Sequence, residues 1–97
     1  MLYHVTMEIR IPHDADAAKI AQIKNEERTR ALALQKSGQW VHLWRVVGRY
    51  ANVSVFDVRD HDELHSILST LPLFPYMTIT VTPLALHPSA LRPTTTP

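Results

Sequence analysis

The stretch Gln39–Val58, "QWVHLWRVVGRYANVSVFDV", decides the fold. Aromatic and β-branched residues dominate it on both sides of Gly48–Arg49, and a glycine inside such a run marks a turn. It predicts two strands joined as a hairpin. A turn that pairs Val47 with Tyr50 sets Arg45 opposite Asn52 and Leu43 opposite Ser54. Val41, Leu43, Arg45 and Val47 then share a face with Tyr50, Asn52, Ser54 and Phe56, while Trp40, Trp44, Val46, Val53 and Val55 fall on the other. A one-residue bulge would change this register.

Upstream, Tyr3, Val5, Met7, Ile9 and Ile11 alternate with His4, Thr6, Glu8 and Arg10 up to Pro12, which reads as a strand with one apolar face. Asp14 or Asp16 can cap the helix that follows, and Gly38 can stop it. Downstream, "DHDELHSILSTL" is a second helix. Asp60 and Glu63 give a capping-box-like start, and Leu64, Ile67, Leu68 and Leu71 form the stripe. Pro72 and Pro75 bracket a connector, and "YMTITVTPL" alternates as a fourth strand. The order is β-α-β-β-α-β, an α+β ferredoxin-like arrangement in which a four-stranded antiparallel sheet carries two helices on one face. Residues 1–85 make the domain, and 86–97 are expected to form an extended Pro/Thr-rich C-terminal arm.

Two helices cover one side of a sheet, yet the hairpin strands are apolar on both. A sheet with one wet face alternates more cleanly. The second face is therefore expected to be buried by another copy of the chain, as a homo-oligomer.

Composition narrows the function classes. The 97 residues suffice for one domain, 45 % hydrophobic and 20 % charged, with a formal charge of +1. No run of Lys or Arg exceeds isolated pairs, so neither nucleic acid nor an anionic membrane is an expected partner. Without cysteine there is no thiolate nucleophile, disulfide scaffold or Cys-ligated metal. No apolar run reads as a signal core or a bilayer span, and a cytoplasmic location is the expectation.

The first helix holds the candidate site. In "KIAQIKNEERTRALALQ", Lys19–Gln35, with Ile20 at 0° and about 100° per residue, Ile23 falls near −60°, Leu34 near −40° and Ala31 near +20°. Glu27 lands at about −20°, on the apolar stripe, while Glu26 points away at about −120°. Burial raises a carboxyl pKa toward the range of a general base at neutral pH. The competing readings are a helix that starts or rotates differently and leaves Glu27 at the boundary, and a structural ion pair with Lys24 or Arg28. Across the predicted hairpin, Arg45, Tyr50, Asn52 and Ser54 make a compact polar group. If that face looks toward the helices, they confront Glu27 over a small pocket.

Other constellations are weaker. His61 and His65 are spaced i, i+4, a metal-binding spacing, but lack a third ligand and read as helix surface; no metal site is expected. Two glycines cannot build a phosphate-cradling loop, and Ser54 lies in a strand without a nucleophile elbow.

Together, "W..LWR", "YAN.SVFDV" and "LPLFPYM" resemble the muconolactone isomerase family, and the likeness runs from "MLYHVTM" to "HPS". The resemblance implies a cofactor-free enzyme of aromatic degradation, assembled as a ring-shaped decamer with active sites at subunit contacts. The substrate would be a small unsaturated lactone, converted from muconolactone to 3-oxoadipate enol-lactone. The family's helix carries a lysine three residues before a glutamate, and Lys24 and Glu27 match those positions. On this reading Glu27 is the catalytic base, Arg45 takes the substrate carboxylate, and Lys24, Tyr50, Asn52 or Ser54 serve the intermediate's oxygen. Two departures stand out: Val41 replaces an arginine common in relatives, and "TITVTP" lacks a common acidic residue. A 5-chloromuconolactone dehalogenase shares this pattern. A cofactor-free monooxygenase of similar architecture and an inert binding module do not account for Glu27.

Overall fold

The computed structural model describes residues 1–91. The chain runs β1 (Leu2–Ile9), α1 (Ala17–Lys36), β2 (Trp40–Arg45), β3 (Ala51–Asp57), α2 (His61–Ser69), a 3-10 turn (Phe74–Tyr76) and β4 (Met77–Leu84). The strands form one antiparallel sheet in the order β2-β3-β1-β4, the expected ferredoxin-like topology.

Alternation on β1 sets the core. Tyr3, Val5 and Met7 are buried and pair with Phe56, Ser54 and Asn52 on one side and with Pro83, Val81 and Ile79 on the other. α2 lays Leu64, Ile67 and Leu68 over this face, and Leu71 and Leu73 continue the seal. Each fully buried leucine contributes about 1.5–3 kcal/mol, so the short helix is held by packing.

Helix ends follow local chemistry. Asp16 caps α1, its carboxylate accepting from the Ala18 amide at 3.0 Å, and Gly38 leaves the helix at φ +85°. Asp60 caps α2 by accepting from the Glu63 amide at 2.9 Å. The Glu63 carboxylate reaches back to the Arg59 amide at 3.1 Å, one residue before the cap, so the capping box is shifted by one.

The hairpin departs from expectation at both ends. Arg45 opposes Asn52 and Leu43 opposes Ser54 as predicted, but Val47 and Tyr50 do not pair. Instead the Val46 amide donates to the Ala51 carbonyl at 3.0 Å, and Val47–Tyr50 form a loop around Gly48 at φ +79°. The chain direction is set one pair earlier, so the register survives. At the other end a bulge lies between Trp40 and His42, and Trp40 opposes Phe56 in place of Val41. Trp40 therefore turns into the core, 2 % exposed and stacked on Phe56 at 4.8 Å, while Val41 is exposed. A bulge flips every residue beyond it, and the larger aromatic ring takes the buried place.

The helix-free face carries Leu2, Thr6, His42, Trp44, Val53 and Val55, so it is apolar along β2 and β3 but without Trp40. β4 runs through Pro83 to Leu84, within the expected domain. His87–Ala90 make a turn closed by the Ala90 amide on the His87 carbonyl at 3.0 Å, which interrupts the expected extended run. The rest of the expected arm, residues 92–97, lies outside the described residues.

Candidate active site

α1 is fully buried only near its ends, at Ile20 and Leu34. Between them Lys24, Glu27, Arg28 and Ala31, spaced i, i+3, i+4 and i+7, line the gap between helix and sheet. Polar and small side chains in this stretch cannot fill the helix–sheet gap, and a cleft of about 340 Å³ opens there. That is the size of a small-molecule site. Ile9, Trp40, Leu43, Leu73 and Met77 give it apolar walls, and Arg45, Tyr50 and Asn52 face α1 across it.

Glu27 is half-buried, and an oxygen of its carboxylate accepts from the Leu73 backbone amide at 2.9 Å. Burial pushes its pKa above the usual carboxylate value, opposed by the Leu73 hydrogen bond and by the charge of Arg30. Among the described residues, Glu27 forms no ion pair with Lys24 or Arg28. The carboxylate is thus held by a backbone donor and raised in basicity by its surroundings, the condition of a general base.

Opposite it, two cations lie over the Tyr50 ring. The Lys24 ammonium is 5.5 Å from the ring centroid and the Arg45 guanidinium 5.2 Å. Tyr50 is fixed through its backbone, since the Ile9 amide donates to the Tyr50 carbonyl at 2.9 Å. Neither Lys24 nor Arg45 has a carboxylate partner among the described residues, so both charges are available to an anionic ligand.

Asn52 is oriented from behind. Its Oδ1 accepts from Ser54 Oγ at 2.8 Å, and its Nδ2 lies 3.6 Å from Met7 Sδ. Ser54 is fully buried and lies outside the cleft wall, so it acts on Asn52 rather than on a bound molecule. Five of the six residues predicted for the site, Lys24, Glu27, Arg45, Tyr50 and Asn52, line one cleft, and the sixth supports it.

Three contributors went unforeseen: Trp40, because the bulge is silent in the sequence; Arg28, read only as a pairing partner; and the Leu73 amide. The available signal for Leu73 was its place between Pro72 and Pro75, where a free N–H must find an acceptor outside regular structure. The histidines stay outside the cleft. His61 Nδ1 lies 2.6 Å from the Tyr3 hydroxyl, and no cluster of His, Cys, Asp and Glu among the described residues could hold a metal ion. No helix among them is long and apolar enough to cross a membrane.

Comparison with known proteins points to the same chemistry. The family described as muconolactone delta-isomerase matches residues 1–90. The muconolactone delta-isomerase of Cupriavidus pinatubonensis is 59 % identical over 92 residues, covering 95 % of this chain and all of the relative. That of Pseudomonas putida is 50 % identical, covering 95 % of this chain and 96 % of the relative. A crystal structure of muconolactone isomerase superposes with a TM-score of 0.91 at 50 % identity, over 96 % of this chain and 97 % of that one. A cleft that holds a half-buried carboxylate and two free cations, on a chain matched almost end to end, leaves one assignment: this protein belongs to the muconolactone delta-isomerase family.

Proposed function

We propose that the chain isomerises muconolactone to 3-oxoadipate enol-lactone by proton transfer through a single carboxylate, without cofactor or metal. The observation that carries this is Glu27 itself: half-buried in the cleft, held by the Leu73 amide, and with a pKa above the usual carboxylate value.

Arg45 receives the free carboxylate of the lactone, which its planar fork suits, with Tyr50 beneath it. The ring then lies over the apolar floor near Glu27. The carboxylate takes the proton from the ring carbon bearing the carboxymethyl group, and the electron pair moves through the double bond onto the lactone carbonyl oxygen. Lys24, Tyr50 and Asn52 supply the cation and hydrogen-bond donors for that oxygen. Protonated Glu27 then returns the same proton to the carbon α to the carbonyl, on the same face of the flat dienolate. The double bond has moved and Glu27 is regenerated, so atoms and charge balance. Ser54 keeps the Asn52 amide turned for this role.

The enzyme works as a cytoplasmic homo-oligomer, and the family resemblance favours a decamer. The exposed apolar residues of the helix-free face support association, with Trp44 54 % exposed.

The test adds muconolactone to purified protein and follows enol-lactone formation, with Glu27→Gln in parallel. Turnover by the native protein and its loss in the variant are expected. Equal turnover in both sinks the single-base mechanism. Chloride release from 5-chloromuconolactone without turnover of the plain lactone moves the assignment to a dehalogenase.

A further inference from the structure

α2 has acidic residues in its first turn, Asp62 and Glu63, but no basic residue in its last. The negative end of its dipole therefore lacks a cation of its own. One arrives from α1. Arg30 Nη2 donates to Thr70 Oγ1 at 3.0 Å, and Thr70 is the residue that ends α2. The same hydroxyl has its proton on the last carbonyls of the helix, Ser66 O at 2.7 Å or Ile67 O at 3.1 Å. One oxygen thus accepts from Arg30 and donates to the helix end. Three residues beyond Thr70, the Leu73 amide donates to Glu27. Arg30 and Glu27 are themselves one helical turn apart on α1. Two bonds, Arg30–Thr70 and Glu27–Leu73, therefore pin one short turn to one face of α1. The Arg30 Nε atom is buried and unpartnered, so this side chain holds its place at a cost in unsatisfied hydrogen bonding.

We propose that Arg30 is a positioning residue for the base: it ties the end of α2 to α1 so that the Leu73 amide stays on Glu27, and it keeps a positive charge one turn from that carboxylate. The inference rests on Glu27 acting as the proposed base, but its geometric part stands without turnover. Arg30 lies outside the cleft wall, and the charge on Glu27 tracks it through space, since Arg30 opposes the rise in the Glu27 pKa. The other ionisable groups facing Glu27 are Lys24 and Arg28 on α1, Arg45 on β2 and Tyr50 in the hairpin loop. The turn Thr70–Tyr76 brings no carboxylate or histidine, and neither Ile9 nor Met77, which represent β1 and β4 in the wall, is charged.

The test is a carbon-13 NMR titration of the Glu27 carboxyl in the native protein, Arg30→Met, Arg30→Lys and Thr70→Val, with kcat and KM for muconolactone measured across pH. Arg30→Met should move the Glu27 midpoint upward and cut kcat/KM on the acid limb about three- to tenfold more than on the plateau. Arg30→Lys, which keeps the charge but not the guanidinium bond to Thr70, should raise the midpoint less than Arg30→Met does and lower kcat. Thr70→Val keeps both bulk and charge; it should lower kcat with KM unchanged, and it carries the reading should Arg30→Met not fold. A native midpoint in Arg30→Met, or native kcat in Thr70→Val, overturns the proposal. Turnover abolished by Glu27→Gln together with either of those results defeats Arg30 alone. A native protein without turnover defeats the isomerase reading, while the NMR titration still decides the role of Arg30.

Discussion

The amide of Leu73 donates to the Glu27 carboxylate at 2.9 Å, across 46 residues of sequence. This bond and the burial around it pull the carboxyl in opposite directions. A backbone donor favours the ionised form, and removal from water favours the neutral one. Burial is the larger of the two here, so the group is left more basic than an ordinary glutamate yet fixed in direction. Both properties suit the proposed base, which must collect a proton and return it a few ångströms away.

The first consequence is kinetic. On the proposed mechanism the ionised form of Glu27 is the active one, so kcat/KM should rise with pH along an acid limb whose midpoint lies above the ordinary glutamate value of 4.5. Initial rates across pH 4–8 give this directly. Glu27→Gln should lose about 10²–10⁴ in kcat, the usual contribution of a positioned acid–base group, and show no such limb.

The second concerns stability, and its sign is fixed by the same shift. A carboxyl whose pKa is raised on folding stabilises the fold fully below pH 4.5, and that contribution is lost as pH rises through the folded value. Glu27→Gln keeps an acceptor for the Leu73 amide without the buried charge. Its Tm should exceed that of the native protein by a few degrees at pH 7–8, and the difference should vanish below about pH 4. Thermal unfolding at several pH values checks it, and a variant less stable at neutral pH contradicts it.

The sheet and the place of Glu27 in the cleft were legible because each depends on period and parity. Alternation in β1 and the 100° step in α1 place side chains by face without regard to distant contacts. Arg45 opposite Asn52 followed from counting back from Gly48, and it survived a misjudged turn because the Val46–Ala51 closure keeps the same pairing. What stayed hidden was everything set by volume or by backbone. The Val41 bulge arises because Trp40 fits beside Phe56, a packing fact invisible in a run where every residue suits a strand. The Leu73 amide and the Arg30–Thr70 bond join positions 46 and 40 apart, with no side-chain motif to announce them.

Arg45 yields a third expectation. Its guanidinium stacks over Tyr50 and has no carboxylate partner among the described residues, so an anionic ligand gains its charge without breaking a pair. Arg45→Met should raise KM for muconolactone about 10- to 100-fold, a charged hydrogen bond being worth roughly 1.5–3 kcal/mol, with a smaller effect on kcat. Arg45→Lys should recover only part, because the planar fork is lost. A KM unchanged in Arg45→Met would remove it from the carboxylate site.

Gly48 provides a test of the hairpin free of packing effects. It sits at φ +79°, and a Cβ added there meets nothing within 4 Å. The cost of Gly48→Ala is then purely conformational, about 1–2 kcal/mol, and Gly48→Asn should cost less because asparagine tolerates this region. Chemical denaturation should rank the three proteins Gly, Asn, Ala. Equal stability of Gly48→Ala would mean that the loop changes conformation.

Trp44 is the sharpest test of association. It opposes Val53, and His42, stacked on it at 4.8 Å, opposes Val55; both pairs lie on the face that no helix covers. A tryptophan 54 % exposed beside two valines gains little in water and much against a partner, since large aromatic residues dominate the energetics of contact surfaces. A second copy is the partner that the family resemblance favours. Native protein at micromolar concentration should therefore scatter light as an oligomer, and Trp44→Glu should reduce the mass without unfolding the subunit, because Trp44 lies outside the buried core. Circular dichroism separates the two outcomes. A native protein that runs as a monomer, or a Trp44→Glu variant of unchanged mass, would show that this face is not the contact.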